Sequence, residues 1–215
     1  MAVQSKLATR GWLFRVRSPR RNRNMRFSAV LLAGGKSSRF GSDKALVKIG
    51  SVELWQRQFF LLRALDPHEI FVAASKPPSW IDDQLQFVCD VMPSAGPLSG
   101  VAAALSACAT SHLFVLAIDL PQMTAEFLRS LVDLSSENCG AVPRRNGFFE
   151  PLAAIYPRSC RALADRQLRG GKFMMQDFVR AALGENLLIE RNVEPSEEPF
   201  FTNMNTPDDL LSIPQ

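Results

Sequence analysis

The chain has 215 residues, of which 47% are hydrophobic, and a formal net charge of +4. This length predicts one domain with a sizeable core, and no apolar run approaches the roughly 18 residues of a membrane span. The first 26 residues carry eight Lys or Arg side chains and no acid, a charge of +8. Because the whole chain has a net charge of +4, residues 27–215 carry the difference, a net charge of −4. The positive charge is therefore poor evidence for nucleic-acid binding.

The basic leader, residues 1–25, differs in composition from the rest of the chain. Its longest apolar piece, Trp12–Phe14, is stopped by Arg15, so it lacks the apolar core of a secretory signal. Three interpretations remain open: an upstream start with Met25 as the true one, a disordered basic arm, or a targeting peptide. We expect residues 26–215 to form a single domain, because no repeat or linker divides them.

Past the leader, short apolar runs alternate with segments of helical periodicity. The predicted strands are 27–33, 69–74, 86–89 and 113–118, and the predicted helices are 54–65, 97–109 and 124–134. Later segments are less regular, with extended runs at 140–143 and 151–156 and helices near 158–168 and 173–183. Buried strands alternating with helices predict an α/β fold with a mainly parallel sheet, which binds ligands at the carboxyl ends of its strands.

A glycine-rich turn, LAGGKSSRFGSDKAL at residues 32–46, follows the first predicted strand. Gly34 and Gly35 have no side chain, so their backbone can approach phosphates closely and offer N–H donors. Arg39 and Lys44 add positive charge at a spacing that lets the turn wrap a triphosphate. The turn matches neither the P-loop nor the GxGxxG pattern. An ordinary turn with solvated charges is the alternative interpretation.

Two aspartates follow predicted strands. Asp119 comes directly after the strand at 113–118, and Asp90 comes directly after the strand at 86–89. A carboxylate at the carboxyl edge of a parallel sheet suits Mg2+, which commonly uses one or two carboxylates with phosphate oxygens and water. An aspartate in such a position can also be a helix cap or a turn residue.

Two further motifs offer polar or flexible groups. Asn203 and Asn205 alternate along a segment predicted as a strand, so both side chains would point to one face and suit a ligand with many hydrogen-bonding groups. Asn205 can instead cap a helix that begins near Thr206. The segment 96–100 can place flexible backbone near a base or ribose, or can serve only as helix entry with Pro97 in the first turn.

Together the motifs resemble those of the molybdenum cofactor guanylyltransferases, within the nucleotidyltransferase superfamily. The resemblance covers residues 27–212 and rests on the glycine-rich turn, Asp90 with Gly-Pro-Leu-Ser-Gly, Asp119-Leu-Pro, Glu150-Pro-Leu-Ala-Ala-Ile-Tyr and Thr-Asn-Met-Asn-Thr-Pro. It implies a three-layer, Rossmann-like α/β fold of the nucleotide-diphospho-sugar transferase type, with a mainly parallel sheet. The implied reaction transfers GMP from GTP to the phosphate of molybdopterin with Mg2+ and releases pyrophosphate.

The resemblance also implies the role of each site residue. The residues implied in nucleotide binding are Leu32, Ala33, Gly34, Gly35, Lys44, Asp90 and Asp119. Lys44, Asp119 and Arg39 would act in catalysis, and Asp119 would hold the metal with Asp90 near it. Asn203 and Asn205 would bind the acceptor. Arg39 would either assist Lys44 or shape the turn. The implied partners are the two substrates, with cofactor-delivery proteins and molybdoenzyme acceptors as further candidates, and neither nucleic acid nor a membrane.

Other functions are compatible with the same fold. A cytidylyltransferase for the same cofactor, or a sugar-phosphate nucleotidyltransferase, would differ in few contacts near the turn and Asp90. The cytidylyl branch tends to carry Ala-Ala-Gly where this chain has Ala-Gly-Gly, which favours guanine. A non-catalytic nucleotide-binding module is the remaining alternative, and the joint presence of Lys44, Asp90 and Asp119 argues against it.

The cysteines suggest a cellular location. Cys89, Cys108, Cys139 and Cys160 are widely spaced and form no CxxC pair, which argues against a zinc site or a disulfide framework. Cysteine usage of this kind suits a reducing compartment, so we expect a cytoplasmic protein.

We predict that a chain starting at Met25 folds and retains full activity, because the leader lacks apolar content and precedes the first core strand. The measurement compares melting temperature and turnover of the two chains. A collapse of either quantity on deletion would contradict the prediction.

Overall fold

The computed structural model of the protein describes residues 25–34, 43–82, 85–204 and residue 209. Most of the leader lies outside the described residues, and so do three predicted site residues: Gly35, Arg39 and Asn205. Their roles stay predictions.

The described residues form ten strands, five α-helices and two short 3-10 helices. The strands are β1 (Phe27–Leu32), β2 (Lys48–Ile49), β3 (Val52–Glu53), β4 (Ile70–Ala74), β5 (Gln86–Cys89), β6 (His112–Ala117), β7 (Gly140–Arg145), β8 (Phe148–Phe149), β9 (Ala153–Pro157) and β10 (Leu188–Asn192). The helices are α1 (Leu54–Arg63), α2 (Pro97–Ala107), α3 (Ala125–Leu134), α4 (Cys160–Arg169) and α5 (Met175–Gly184), with 3-10 turns at Lys44–Leu46 and Pro195–Phe201.

The main sheet has the strand order β10–β7–β9–β6–β1–β4–β5, with β8 paired to β7, and β2 and β3 form a separate hairpin. β1 pairs in parallel with β6 and β4, and β4 pairs in parallel with β5. In the main sheet only β9 and the short β8 run antiparallel to their neighbours among the described residues. The predicted α/β fold with a mainly parallel sheet is therefore confirmed.

Helices cover both faces of the sheet and make three layers. All six residues of β1 are buried, and successive side chains of the strand enter opposite hydrophobic clusters. Val30 and Leu32 pack with residues of α2, α4 and α5, whereas Ala29 and Leu31 pack with residues of α1 and α3. A strand buried on both faces has no polar alternation, which is why the sequence shows a continuous apolar run there.

The antiparallel strand β9 brings a later part of the chain to the functional edge. Its first residue, Ala153, pairs with Leu116 near the end of β6. The Ala117 N–H donates to the Leu152 carbonyl at 2.7 Å. The residues just before β9 therefore lie at the same edge as the carboxyl ends of β6 and β1.

The predicted element bounds agree with the structure to within a few residues, with one exception. Residues 202–204 form no strand, so the alternation argument for Asn203 was wrong. Within the described ranges, no helix combines the length and apolar character needed to cross a bilayer.

Gly140, the first residue of β7, is where the sheet leaves no room for a side chain. A Cβ built at this position would lie 1.9 Å from the Ile155 carbonyl oxygen on β9. Backbone cannot yield as a flexible side chain can, so any larger residue must separate the two strands.

We predict that Gly140→Ala destabilises the protein by about 1–3 kcal/mol or more, as overpacking of a rigid interior does. Gly184→Ala, at the end of α5, is the matched control, because a Cβ there meets nothing within 4 Å. The measurement is the urea unfolding midpoint. Equal midpoints for the two variants would contradict the prediction.

Candidate functional site

Two of the predicted catalytic residues meet at the carboxyl edge of the sheet. Asp119 lies two residues beyond the end of β6, and Lys44 opens the first 3-10 turn. The Lys44 Nζ lies 3.5 Å from the Asp119 Oδ2, and the two side chains are 14% and 29% exposed. A cation and a carboxylate, both partly open to solvent, therefore lie next to each other at this edge of the sheet.

The position of Lys44 depends on the residue before it. Asp43 caps the 3-10 turn, since its Oδ1 accepts a hydrogen bond of 3.0 Å from the Ala45 N–H. Ala45 is buried and fixes the turn to the core. The aspartate of the Asp-Lys-Ala-Leu motif is thus explained as a cap that orients Lys44.

The backbone around Asp119 is bonded on both sides. The Ile118 N–H donates to the Leu32 carbonyl at 3.1 Å, which ties the segment to the end of β1. The Met204 N–H donates to the Asp119 carbonyl at 3.0 Å. This second hydrogen bond holds the neighbouring Asn203 at the edge of the sheet. The sequence predicts a strand here, and the structure shows a backbone hydrogen bond to Asp119 instead.

Two polar residues of α1, absent from the sequence prediction, hold the same segment. The buried Gln58 donates through Nε2 to the Leu120 carbonyl at 2.7 Å. Arg57 donates through Nε to the Pro121 carbonyl at 2.8 Å. The carbonyls that follow Asp119 are therefore satisfied by side chains of the helix packed beneath them.

Asp90 occupies a different part of the edge. It follows β5, and its N–H donates to the Ala74 carbonyl at 3.1 Å. A Cβ built on Gly100 would lie 3.2 Å from both the Asp90 Oδ1 and the Leu32 Cδ2, so these three residues are neighbours. Burial raises the pKa of the Asp90 carboxyl above its ordinary value.

The strand order separates this carboxylate from the Lys44–Asp119 pair. β5 and β6 are three strand positions apart, a separation of roughly 14 Å at the usual spacing of about 4.8 Å. The structure places Asp90 next to Leu32 and Gly100, and its role near a metal held by Asp119 stays a prediction.

The glycine turn begins between these two groups. Leu32 is buried, Ala33 is half-buried, and Gly34 is exposed at the end of β1. A Cβ on Gly34 would meet the Ala74 Cα at 3.7 Å, an ordinary contact. Packing among the described residues therefore does not require this glycine, which is consistent with a requirement for close ligand approach.

The segment 96–100 has a structural role of its own. Gly96 has φ +65° and ψ −161°, a conformation that L side chains rarely adopt, and it caps α2 with Pro97 next. The Ser99 Oγ accepts from the Met92 N–H at 2.8 Å and donates to the Met92 carbonyl at 2.9 Å. These contacts fix the loop after Asp90 and allow the helix to approach its carboxylate.

A cavity of about 400 Å³ opens beside Asp119. Its polar lining includes Asp119, Asn203 and Glu150, and its apolar lining includes Phe149 and Met174. Pockets for small ligands commonly have volumes of about 300–1,000 Å³. The structure thus brings the predicted acceptor residue Asn203 and the predicted metal ligand to one cavity.

Glu150 is a charged member of this cavity to which the sequence prediction gave no role. Arg145, the last residue of β7, lies 2.9 Å from the Glu150 Oε1. Burial raises the pKa of the Glu150 carboxyl, and the hydrogen bond from Arg145 opposes the rise. A charged residue directly after an apolar strand was the available signal.

The family model described as "MobA-like NTP transferase domain" matches residues 29–185. A probable molybdenum cofactor guanylyltransferase of Opitutus terrae is 36% identical over 85% of this chain and 92% of its own length. A protein of the same name from Pelotomaculum thermopropionicum is 32% identical over 86% and 90%. The structure of molybdopterin-guanine dinucleotide biosynthesis protein A from Archaeoglobus fulgidus superposes with a TM-score of 0.64 at 23% identity, over 86% and 95% of the chains.

Proposed function

The chain belongs to the MobA-like NTP transferase family, and on that basis we propose that it transfers GMP from GTP to the terminal phosphate of molybdopterin, with Mg2+. The observation that carries the proposal is the Lys44–Asp119 pair, which lies between a glycine turn and a cavity containing Asn203. A nucleotide on one side and an acceptor on the other would meet at this pair.

The proposed step needs no covalent intermediate on the protein. An oxygen of the molybdopterin phosphate attacks the α-phosphorus of GTP, a new P–O bond forms, and the bond to the leaving pyrophosphate breaks. Transfer of this kind requires alignment of the two phosphates and neutralisation of their charge. The Lys44 ammonium group supplies positive charge at the position where the phosphates meet.

The residues present fit Mg2+ at the same position. The Asp119 carboxylate is partly exposed at the cavity and offers the hard oxygen donors that Mg2+ prefers. When bound, the ion would neutralise negative charge on the phosphates. The hydrogen bonds to the flanking backbone keep the carboxylate in place, and Lys44 limits repulsion between it and the incoming phosphates.

Asp90 supports the choice of guanine as the base. Guanine presents two adjacent N–H donors, N1–H and the 2-amino group, and one carboxylate can accept from both. The raised pKa of Asp90 reflects loss of water around the carboxylate, and two donors from a base would replace that water. The hydrogen-bonding edge of cytosine has a single donor group, the 4-amino group, next to the acceptors N3 and O2, so it cannot offer the carboxylate two adjacent donors.

We predict that turnover with GTP exceeds that with CTP, ATP or UTP by about 100-fold or more, because mismatched bases leave buried polar groups unpaired. Asp90→Asn should reduce this preference at least tenfold, since its amide can present N–H groups to the donors of guanine. The assay measures pyrophosphate release with molybdopterin and each nucleotide.

The matched control for this assay is Asp165→Asn, which removes a carboxylate from an exposed helical ion pair with Arg161. Its nucleotide preference should equal that of the wild type. Comparable wild-type turnover with CTP and GTP would contradict the guanine preference and favour a cytidylyltransferase. An unchanged preference in Asp90→Asn would remove that residue from base selection.

The Lys44–Asp119 pair gives a second prediction. Asp119→Asn should abolish turnover and reduce the magnesium dependence of GTP binding, because the amide is a poor ligand for the ion. Lys44→Ala should weaken GTP binding by about 1.5–3 kcal/mol through loss of a charge-assisted contact. Calorimetric titration of GTP with and without Mg2+, alongside turnover, separates the two effects. Normal magnesium dependence in an active Asp119→Asn protein would refute the metal assignment.

A further inference from the structure

Glu150 is fixed at the functional edge by its own backbone and by Arg145. Its N–H donates to the Pro143 carbonyl at 2.8 Å, and the residues after it lead into β9 beside β6. The Arg145 Nε donates to the Glu150 Oε1 at 2.9 Å. Arg145 also lies over the ring of Phe201 at 5.7 Å, which limits the movement of its guanidinium group.

The second oxygen of this carboxylate is available to a ligand. Both recorded contacts with Arg145 are made to the Oε1, and within the described part of the chain the Oε2 has no hydrogen-bond partner. The side chain is 23% exposed and lines the cavity that also contains Asp119 and Asn203. A fixed, half-buried acceptor therefore faces the space expected to hold the acceptor substrate.

The cavity lining beside Glu150 is partly apolar. Phe149 is buried, and the Gln176 side chain hydrogen-bonds to its backbone. The Phe149 N–H donates to the Gln176 Oε1 at 3.2 Å, and the Gln176 Nε2 donates to the Phe149 carbonyl at 2.8 Å. Phe173 and Met174, which lie just before α5, add exposed apolar surface to the same cavity. A ring with apolar faces and polar edges can lie between such walls while its edge meets the carboxylate.

The charge of Glu150 determines which part of the acceptor it can contact. A phosphate would be repelled by this carboxylate, whereas the 2-amino-4-oxo edge of a pterin presents two adjacent N–H donors. We propose that Glu150, held by Arg145, binds the 2-amino-4-oxo edge of the acceptor's pterin ring and so directs its phosphate toward Lys44 and Asp119. The inference rests on the proposed function and names the recognition residue within it.

The ionisation of Glu150 is consistent with this role. Burial raises the pKa of its carboxyl, and the guanidinium of Arg145 opposes that rise by favouring the charged form. The remaining loss of solvation is what two N–H donors from a ring would replace.

The kinetic test compares wild type with Glu150→Gln. The amide has one acceptor oxygen, for which Arg145 competes, so its NH2 group would face the ring N–H donors. We expect KM for molybdopterin to rise at least tenfold, with KM for GTP and melting temperature nearly unchanged. Glu190→Gln is the matched control, since Glu190 pairs with Arg144 on the exposed part of the same sheet.

A binding test identifies the edge and separates this inference from the proposed function. The probes are 6-hydroxymethylpterin and 6-hydroxymethyllumazine, which carries oxygen in place of the 2-amino group, titrated by fluorescence. Wild type should bind the pterin about tenfold more tightly, and Glu150→Gln should lose that preference. Equal affinities in the wild type, no saturable pterin binding, or an unchanged KM for molybdopterin in Glu150→Gln would each overturn the inference.

Failure of the proposed function has a different signature. Wild-type protein would then form no dinucleotide from GTP and molybdopterin, whatever the pterin titration shows. If pterin discrimination persists in that case and depends on Glu150, the recognition role stands without the guanylyl transfer.

Discussion

The backbone of residues 118–121 is bonded to three separate parts of the molecule, and the geometry of the site depends on those bonds. The Ile118 N–H donates a hydrogen bond to β1, and the Asp119 carbonyl accepts one from the segment near the C-terminus. Side chains of α1 donate hydrogen bonds to the next two carbonyls. A buried carbonyl left without a partner costs about 1–3 kcal/mol, so each bond constrains the loop as well as satisfying it. The backbone that carries the Asp119 side chain is thus fixed by contacts within the protein.

This constraint connects elements that are far apart in the sequence. Gln58 reaches the loop because α1 packs across the face of β1, and Asn203 reaches it because the segment after the second 3-10 turn returns to the edge. The antiparallel course of β9 adds Glu150 to the same edge, since a strand in that direction begins where its neighbours end. The main sheet's one long antiparallel strand among the described residues therefore brings Glu150 to the cavity beside Asp119.

The sequence predicted the sheet well because strands buried on both faces are continuous apolar runs, as at β1 and β6. Strand ends and glycines carry recognisable local patterns, and these patterns selected Asp119, Asp90 and the glycine turn as site candidates, whose roles stay predictions. The sequence did not predict the position of Glu150 at the edge, because that position depends on the antiparallel course of β9. Gln58 was missed although a signal existed: a polar residue one helical turn from both Leu54 and Leu62 interrupts an apolar stripe.

The order of charged groups along the edge constrains how two substrates with similar rings can be distinguished. The 2-amino-6-oxo edge of guanine and the 2-amino-4-oxo edge of a pterin present the same adjacent N–H donors. The structure offers a partly desolvated carboxylate on each side, Asp90 after β5 and Glu150 before β9. Ring recognition alone could therefore seat either substrate on either side. The strand order places the Lys44–Asp119 pair between the two carboxylates, and in the proposed reaction the phosphates of both substrates would meet there. Since only one substrate carries a triphosphate, the two phosphate arms differ in length. In the proposed reaction this difference would favour one assignment of the rings to the two carboxylates, with the attacking oxygen opposite the leaving pyrophosphate.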